Sequence, residues 1–525
     1  MTSPLSSSPA WKALLAHRDA LAGATAADHW QASPERGAAF TFPCAGLVVD
    51  FSKQPVAPET LALLCALARE RQVPESIEKL FTGEPVNVTE GRPALHMALR
   101  GDEHAKVDGV DIRVEIQRER EHFRAFVEAV RDGRWKGATG KAISAVVAIG
   151  IGGSASGPQL VLRALAPDHE GPQVRFAANI DPAELDQALA GLDPATTLLV
   201  VVSKTFTTEE TMANALAARA WLEAALGPAA LAHHVVAATS RPDRAIAWGL
   251  PECNVFGFAE WIGGRFSLWS SAGMPIALGL GMAAFDHLLA GAHAADLEFR
   301  STPLERNVPA LMALIGLWNR DALGAPHHVM LPYAARLEGL VLYLQQLEME
   351  SNGKRVTTTG EPLDRPTVPA IWGAPGTTGQ HSFHQWLHQG TEAFACDFIV
   401  VAKAMGSDPD RHARLLAHAL AQSEAFMDGL DVPDAHKACP GGRATTTIVL
   451  PSLDAMHLGA LIALYEHKVY AQACLWGINA FDQFGVELGK TLAGRILPAV
   501  RGENAALTPA THHLLGIIHK LAQSD

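Results

Sequence analysis

Short, wholly apolar runs rich in β-branched residues recur along the chain, and each is followed by a stretch whose apolar positions repeat at helical spacing. AISAVVAIG (142–150), TTLLVVVSK (196–204) and HHVVAATS (233–240) predict three buried strands. Residues 208–226 predict a helix between the last two, with Met212, Leu216 and Ala220 on its inner stripe. HHVMLP (327–332), CDFIVVA (396–402) and TTTIVLP (445–451) predict three more strands, trailed by helical residues 334–351, 410–427 and 453–475. Buried strands that alternate with helices form parallel sheets covered on both faces, because each crossover helix must lie against the sheet. The pattern therefore predicts an α/β protein with two doubly wound units, joined near residues 280–300. Residues 1–110 break the alternation and read as helical segments and loops, with helices at 11–22 and 58–71. The Ser/Pro-rich residues 1–9 read as a loose tail.

Composition narrows the class. Hydrophobic residues make up 48% and charged residues 18% of the 525, enough apolar material for packed cores and too much for a disordered chain. A formal charge of −13 without a concentrated basic tract argues against nucleic acid as a partner, while a local pocket of donors still admits a small anion. The six cysteines are scattered with no CxxC pair, which fits a reducing compartment. The start of the chain has neither the basic nor the apolar region of a secretory signal. The least charged stretch, 267–285, is broken by Pro275 and glycines and falls short of the ~20 apolar residues that span a membrane. A cytoplasmic location without membrane contact is the expectation.

Two loops have the composition of phosphate sites. AIGIGGSASGP (148–158) joins a strand to a helix, and its glycines let backbone N–H groups approach an anion at the helix N-terminus. Gly150, Gly152 and Ala155 also match a dinucleotide fingerprint, although the acidic residue that should follow is represented only by Asn179 and the late Asp181. SKTFTTEET (203–211) clusters Ser203, Thr205, Thr207 and Thr208 beside Lys204, a set that suits either helix capping or a phosphate dianion.

Further segments carry candidate acid–base groups. EWIGGRFSLWS (260–270) sets Arg265 after two glycines, where a fixed cation can stabilise developing negative charge. In GLVLYLQQLEMESNGK (339–354), Leu340, Leu344 and Leu347 face a core, and Gln346 and Glu350 share another side. Asn352 and Gly353 stop that helix, so Glu350 lies at the negative end of its dipole, a place for a general base. GQHSFHQWLHQG (379–390) spaces His381, His384 and His388 helically but lacks the glutamate of a zinc motif, so one catalytic histidine with structural neighbours is expected and no metal. WGINAFDQFGVELGK (476–490) places Gln483 and Lys490 on one side of a helix.

Together these segments resemble the glucose-6-phosphate isomerase family across nearly the whole chain, from TEGRPALHMALR (89–100) to GVELGK (485–490). IGGRFSLWS (262–270), YLQQLEMESNGK (343–354) and INAFDQFGVELGK (478–490) carry most of the specificity. The resemblance implies two sugar-isomerase (SIS) α/β domains with parallel sheets flanked by helices, residues 111–280 forming the smaller and 281–480 the larger. Helical segments 1–110 and 481–525 would flank them, the first packed on the larger domain. It further implies a homodimer that interconverts glucose 6-phosphate and fructose 6-phosphate by ring opening and an enediol, with no cofactor. On that resemblance Ser154, Ser203, Thr205 and Thr208 hold the substrate phosphate, with Gly153 and Lys204 adjacent. Glu350 matches the base that moves a proton between C2 and C1, and Arg265 the cation beside the enediolate. His381 matches the residue that opens the ring from the partner subunit, Lys490 the lysine at the ring oxygen, and Gln346 and Gln483 substrate contacts.

The chain departs from the resembled pattern at two places. Ala155 and Ser156 stand where an acidic residue and a leucine are usual, and Gly442 and Ala444 interrupt a usual G-N-R-P-[ST]. Two rival readings remain: a nicotinamide-dependent oxidoreductase, resting on the first glycine loop alone, and a non-catalytic SIS-type sugar-phosphate sensor.

Overall fold

Strands Ala145–Ile149 and Thr197–Val202 are buried along their whole length, as β-branched runs between two helical layers must be. They form the centre of a five-stranded parallel sheet in the computed structural model, which describes residues 4–101 and 105–523. The strand order is Gln173–Ala177, Ala145–Ile149, Thr197–Val202, Val235–Thr239, Val255–Gly257. Leu199, Val201 and Ala237 pack with Ala218 and Leu222 of helix Glu209–Leu226 in one core. Each such fully buried valine or leucine contributes about 1.5–3 kcal/mol. The edge strands escape the apolar pattern, because Gln173–Ala177 is largely half-buried and Val255–Gly257 is short.

The inner face of helix Glu209–Leu226 differs from the expected stripe. Thr211, Asn214, Ala215, Ala218 and Leu222 are buried, whereas Leu216 is exposed and Met212 only partly covered. Small residues let this helix approach the sheet closely, and that approach outweighs the burial of one leucine.

The second sheet has six strands, in the order Thr41–Cys44, Leu47–Asp50, Ala444–Leu450, Phe394–Val401, His327–Tyr333, Ala370–Gly373. Its last four strands are parallel, as the sequence pattern requires. The first two form a hairpin from the N-terminal segment, with Leu47–Asp50 pairing antiparallel to Ala444–Leu450. The N-terminal segment is thus not only helices and loops; its hairpin covers an otherwise open sheet edge.

Residues 280–300, the expected joint, fall between strand Val255–Gly257 of the first sheet and strand His327–Tyr333 of the second. They lie mostly within helix Met282–Ser301, whose Phe285, Leu288, Leu289 and Phe299 are buried and which packs along helix Ala455–Trp476. The expected tail is also folded: Leu5 and Ser8 are buried, and the Ser8 hydroxyl caps helix Pro9–Ala20 by accepting from the Trp11 amide. Residues 1–3 of that tail lie outside the described residues.

Helix Ala455–Trp476 is buried almost throughout, and its three consecutive ionisable residues are each partnered. Glu466 binds Arg100 and accepts from Trp269 Nε1 (2.9 Å), His467 meets Asp296 (2.7 Å), and Lys468 donates to both oxygens of Glu348 (2.8 and 2.9 Å). At the Gly442 departure, the Gly442 amide donates to Met427 and Arg443 donates to the carbonyls of Gly390 and Glu392, so the loop is tied down before strand Ala444–Leu450 begins.

Contacts divide the chain into two compact units, Met1–Ala480 and Phe481–Asp525. The second consists of helices Phe484–Val500 and Pro509–Ala522. Among the described residues no helix is long and apolar enough to cross a membrane.

Candidate active site

Strand Ala145–Ile149 delivers the chain into the first glycine loop, which turns through Gly152–Ser154 into helix Ser156–Leu165. Gly152 has φ of 59°, a left-handed conformation that glycine adopts at little cost. Gly153 is required for close approach: a Cβ there would lie 2.1 Å from the Gly264 carbonyl oxygen and 2.6 Å from the Arg265 nitrogen. The first loop is therefore seated on the turn that carries Arg265. Asp181, the acidic candidate for a dinucleotide ribose, instead caps its own helix Pro182–Leu189 by accepting from Ala183 N (3.0 Å).

The second loop follows strand Thr197–Val202. Thr208 is the N-cap residue of helix Glu209–Leu226, yet its side chain makes no capping bond. Ser203 Oγ donates to Thr208 Oγ1 (3.2 Å) and Thr207 to Thr205 (2.9 Å), so the hydroxyls cluster with one another rather than cap. Phe206 between them is buried with φ of 51°, a sparsely populated backbone state for an aromatic residue. Lys204 Nζ donates to the carbonyls of Glu260 and Ile262 (2.8 Å each), which ties this loop to the Arg265 turn. Burial, reinforced by Arg92, lowers the Lys204 ammonium from its ordinary value to about 8.

Arg265 lies in the 3₁₀ segment Gly264–Trp269 and is buried, not a surface charge. Its Nε donates to Ser351 Oγ (2.6 Å), one Nη to the Ala480 carbonyl (2.5 Å), and Nη1 is 3.5 Å from Glu350 Oε2. The 89–100 stretch, to which sequence reasoning gave no role, braces this turn. Arg92 donates to the Glu260 carbonyl and carboxylate, and His96 stacks on Phe266 with centroids 4.6 Å apart. Asn87 and Thr89 accept from Asn479, the neighbour of Ala480.

The helix with the candidate base begins as Glu338–Leu344 and widens into a π-helical stretch, Gln345–Glu350. Such widened turns frequently sit at functional sites. Leu340, Leu344 and Leu347 are buried as expected, and Glu348 points into the core to meet Lys468. Gln346 Nε2 donates to Glu350 Oε2 (3.1 Å), the contact their spacing predicts. Both Arg265 and Gln346 approach Oε2, and among the described residues no hydrogen bond falls on Oε1. Glu350 retains about 21% of its side-chain exposure, so a ligand can reach it.

One further polar residue joins this group. Ser156 Oγ donates to Gln346 Oε1 (2.9 Å), linking the first loop to the base through the amide. No local sequence signal marks that pair, since the two residues are 190 apart in the chain.

The remaining candidates are placed as follows. His381 is exposed at the C-terminal end of helix Gly376–Gln380, and no hydrogen bond or ion pair joins it to Glu350 within this chain among the described residues. The expected histidine helix is interrupted there, and helix His384–Gln389 begins three residues later. His384 and His388 converge on Gln422 Oε1 (3.0 and 2.8 Å), a structural arrangement. Gln483 is the N-cap residue of helix Phe484–Val500 in the second unit, and Lys490 is exposed on that helix beside Glu487 (3.1 Å).

Comparison with known proteins places these features in a family context. The sequence model of the family described as phosphoglucose isomerase matches residues 50–515. Glucose-6-phosphate isomerase of Frankia casuarinae is 45% identical over 515 residues, 94% of this chain and 93% of that protein. The enzyme of the same name from Methylococcus capsulatus is 44% identical over 519 residues, 94% of this chain and 95% of that protein. The crystal structure of a glucose-6-phosphate isomerase from Chlamydia trachomatis superimposes with a TM-score of 0.87 at 31% identity, covering 99% of this chain and all of that one.

Proposed function

The chain belongs to the phosphoglucose isomerase family, and from that premise we propose how its residues interconvert glucose 6-phosphate and fructose 6-phosphate. The observation that carries the reading is the pairing of Arg265 with Glu350, 3.5 Å apart, on a turn in contact with the first glycine loop.

The substrate phosphate, with a charge of about −1.5 to −2, is taken by the hydroxyls of Ser154, Ser203, Thr205 and Thr208 and by the backbone at Gly153. Lys204 adds positive charge beside them while its ammonium holds the Glu260 and Ile262 carbonyls. Glu350 takes the proton from C2 of the opened sugar and returns it to C1, and the reverse reaction uses the same atoms. The electron pair released from the C–H bond becomes the enediolate, whose oxygen faces the Arg265 guanidinium, a group that stays charged throughout. The base is gripped through Oε2, which leaves Oε1 to handle the proton. Only protons move, one from C2 to C1 and one from the O2 hydroxyl to O1, and the sugar as a whole is neither oxidised nor reduced, so a base, an acid and a charge stabiliser suffice.

Ring opening is assigned to His381, supplied by the partner subunit of a homodimer, and to Lys490 at the ring oxygen; Gln346 and Gln483 contact the substrate. The cytoplasm is the compartment proposed. A coupled assay in which glucose-6-phosphate dehydrogenase reports the conversion of fructose 6-phosphate tests the reading. Sustained turnover by the purified chain, undiminished in excess EDTA, is expected. Tight binding of the sugar phosphate without turnover would favour a sensor and overturn it.

A further inference from the structure

We infer that Ser156 is a positioning residue for Glu350, acting through the side-chain amide of Gln346; this rests on Glu350 being the base. The Ser156 hydroxyl donates to Gln346 Oε1 at 2.9 Å, and the other end of the same amide donates to Glu350 Oε2 at 3.1 Å. A carboxylate only accepts, so it calls for the NH2 end of the amide and turns the carbonyl end away. Ser156 stands where that carbonyl must point and supplies the donor it needs. The amide is thereby held at both ends, and its plane is set.

The surroundings keep the amide there. Ser156 is the first residue of helix Ser156–Leu165, so its Cα is fixed by the helix rather than by a loop. Gly152 leaves room for the amide: a Cβ at that position would lie 3.1 Å from Gln346 Nε2. Across the carboxylate, Arg265 Nη1 approaches the same Oε2, and behind it Glu348 is locked to Lys468. Glu350 thus has its rotamer defined by Arg265 on one side and by the Ser156–Gln346 pair on the other.

The link is tested by steady-state kinetics of Ser156→Ala, Ser156→Thr, Gln346→Leu and the Ser156→Ala/Gln346→Leu double variant, with Glu350→Gln as control. Ser156 is half-buried and its replacement by alanine removes one hydroxyl, so melting temperature and circular dichroism are expected to stay at wild-type values. Loss of one neutral hydrogen bond at the base should lower kcat about 3- to 10-fold with KM changed less than about 2-fold. Ser156→Thr, which keeps the hydroxyl, should restore kcat. In the Gln346→Leu background the Ser156→Ala change should have no further effect, because the route to Glu350 is already cut. The inference is overturned by a wild-type kcat in Ser156→Ala, by failure of threonine to rescue, or by the same loss in both backgrounds. Failure of the underlying reading looks different: Glu350→Gln would itself remain active.

Discussion

Arg265 and Glu350 form an asymmetric pair, in which the cation is 2% exposed and held by neutral acceptors while the carboxylate keeps 21% of its exposure. The Ser351 hydroxyl and the Ala480 carbonyl hold the guanidinium in place, so its position does not depend on Glu350. A fixed cation beside a carboxylate that gains and loses a proton suits a reaction in which negative charge passes from base to substrate and back.

Glu350→Gln keeps the shape of the side chain and removes its basicity. Its kcat should fall by ~10²–10⁴, the usual worth of general acid–base catalysis, with the melting temperature unchanged. Steady-state rates and a thermal melt check this, and near-normal turnover would remove Glu350 from the mechanism.

Arg265→Lys is predicted to fail as Arg265→Met does. An ammonium cannot span Ser351 Oγ, the Ala480 carbonyl and Glu350 together, because it lacks the planar fork. Both variants should lose ~10²–10³ in kcat, and both should lose about 1–3 kcal/mol of stability from the abandoned buried carbonyl. Kinetics with denaturant melts measure the two effects; a fully active lysine variant contradicts the argument.

Two neighbouring glycines should respond oppositely to alanine. At Gly153 the new Cβ meets the Gly264 carbonyl oxygen at 2.1 Å, whereas at Gly264 it meets nothing within 4 Å. Gly153→Ala is expected to lose about 1–3 kcal/mol through overpacking and to raise KM for the sugar phosphate, while Gly264→Ala melts like wild type. Equal melting temperatures for the two variants would show that the loops are not in contact.

Asp321 gives a pH signature away from the site. Burial raises its carboxyl from 3.8 to about 6, only partly offset by the hydrogen bond from Trp476. Because the folded chain holds this proton more tightly than the unfolded one, stability falls as pH rises from about 4 to about 6, and the penalty is complete above that range. Asp321→Asn should therefore gain more in melting temperature over wild type at pH ~7.5 than at pH ~4. A pH-independent gain would refute the assignment.

Much of the α/β core was legible because a fully buried parallel strand needs an unbroken apolar run, and six such runs marked Ala145–Ile149, Thr197–Val202, Val235–Thr239, His327–Tyr333, Phe394–Val401 and Ala444–Leu450. Edge strands such as Gln173–Ala177 face water on one side and lose that mark. The hairpin Thr41–Cys44 and Leu47–Asp50 was hidden for a similar reason, with Pro43 and the exposed Val48 interrupting the pattern. Helix Glu209–Leu226 is so rich in alanine that hydrophobicity hardly distinguishes its faces, and small residues rather than Leu216 decided which one is buried. Among the candidate residues, the 3.5 Å meeting of Arg265 with Glu350 and the Gln346 bond emerged together, whereas the Ser156 link and the brace from residues 87–100 depend on pairings between distant segments. Periodicity carries no information about those.

Helix Ala455–Trp476 presents Glu466, His467 and Lys468 in succession, each answered by a residue from a different part of the chain. Rotating or sliding that helix by a single position would strand three ionisable groups in an apolar interior at once. Half-assembled states are therefore heavily disfavoured, and the first unit should unravel in one abrupt step, leaving few partly open forms for proteases to capture.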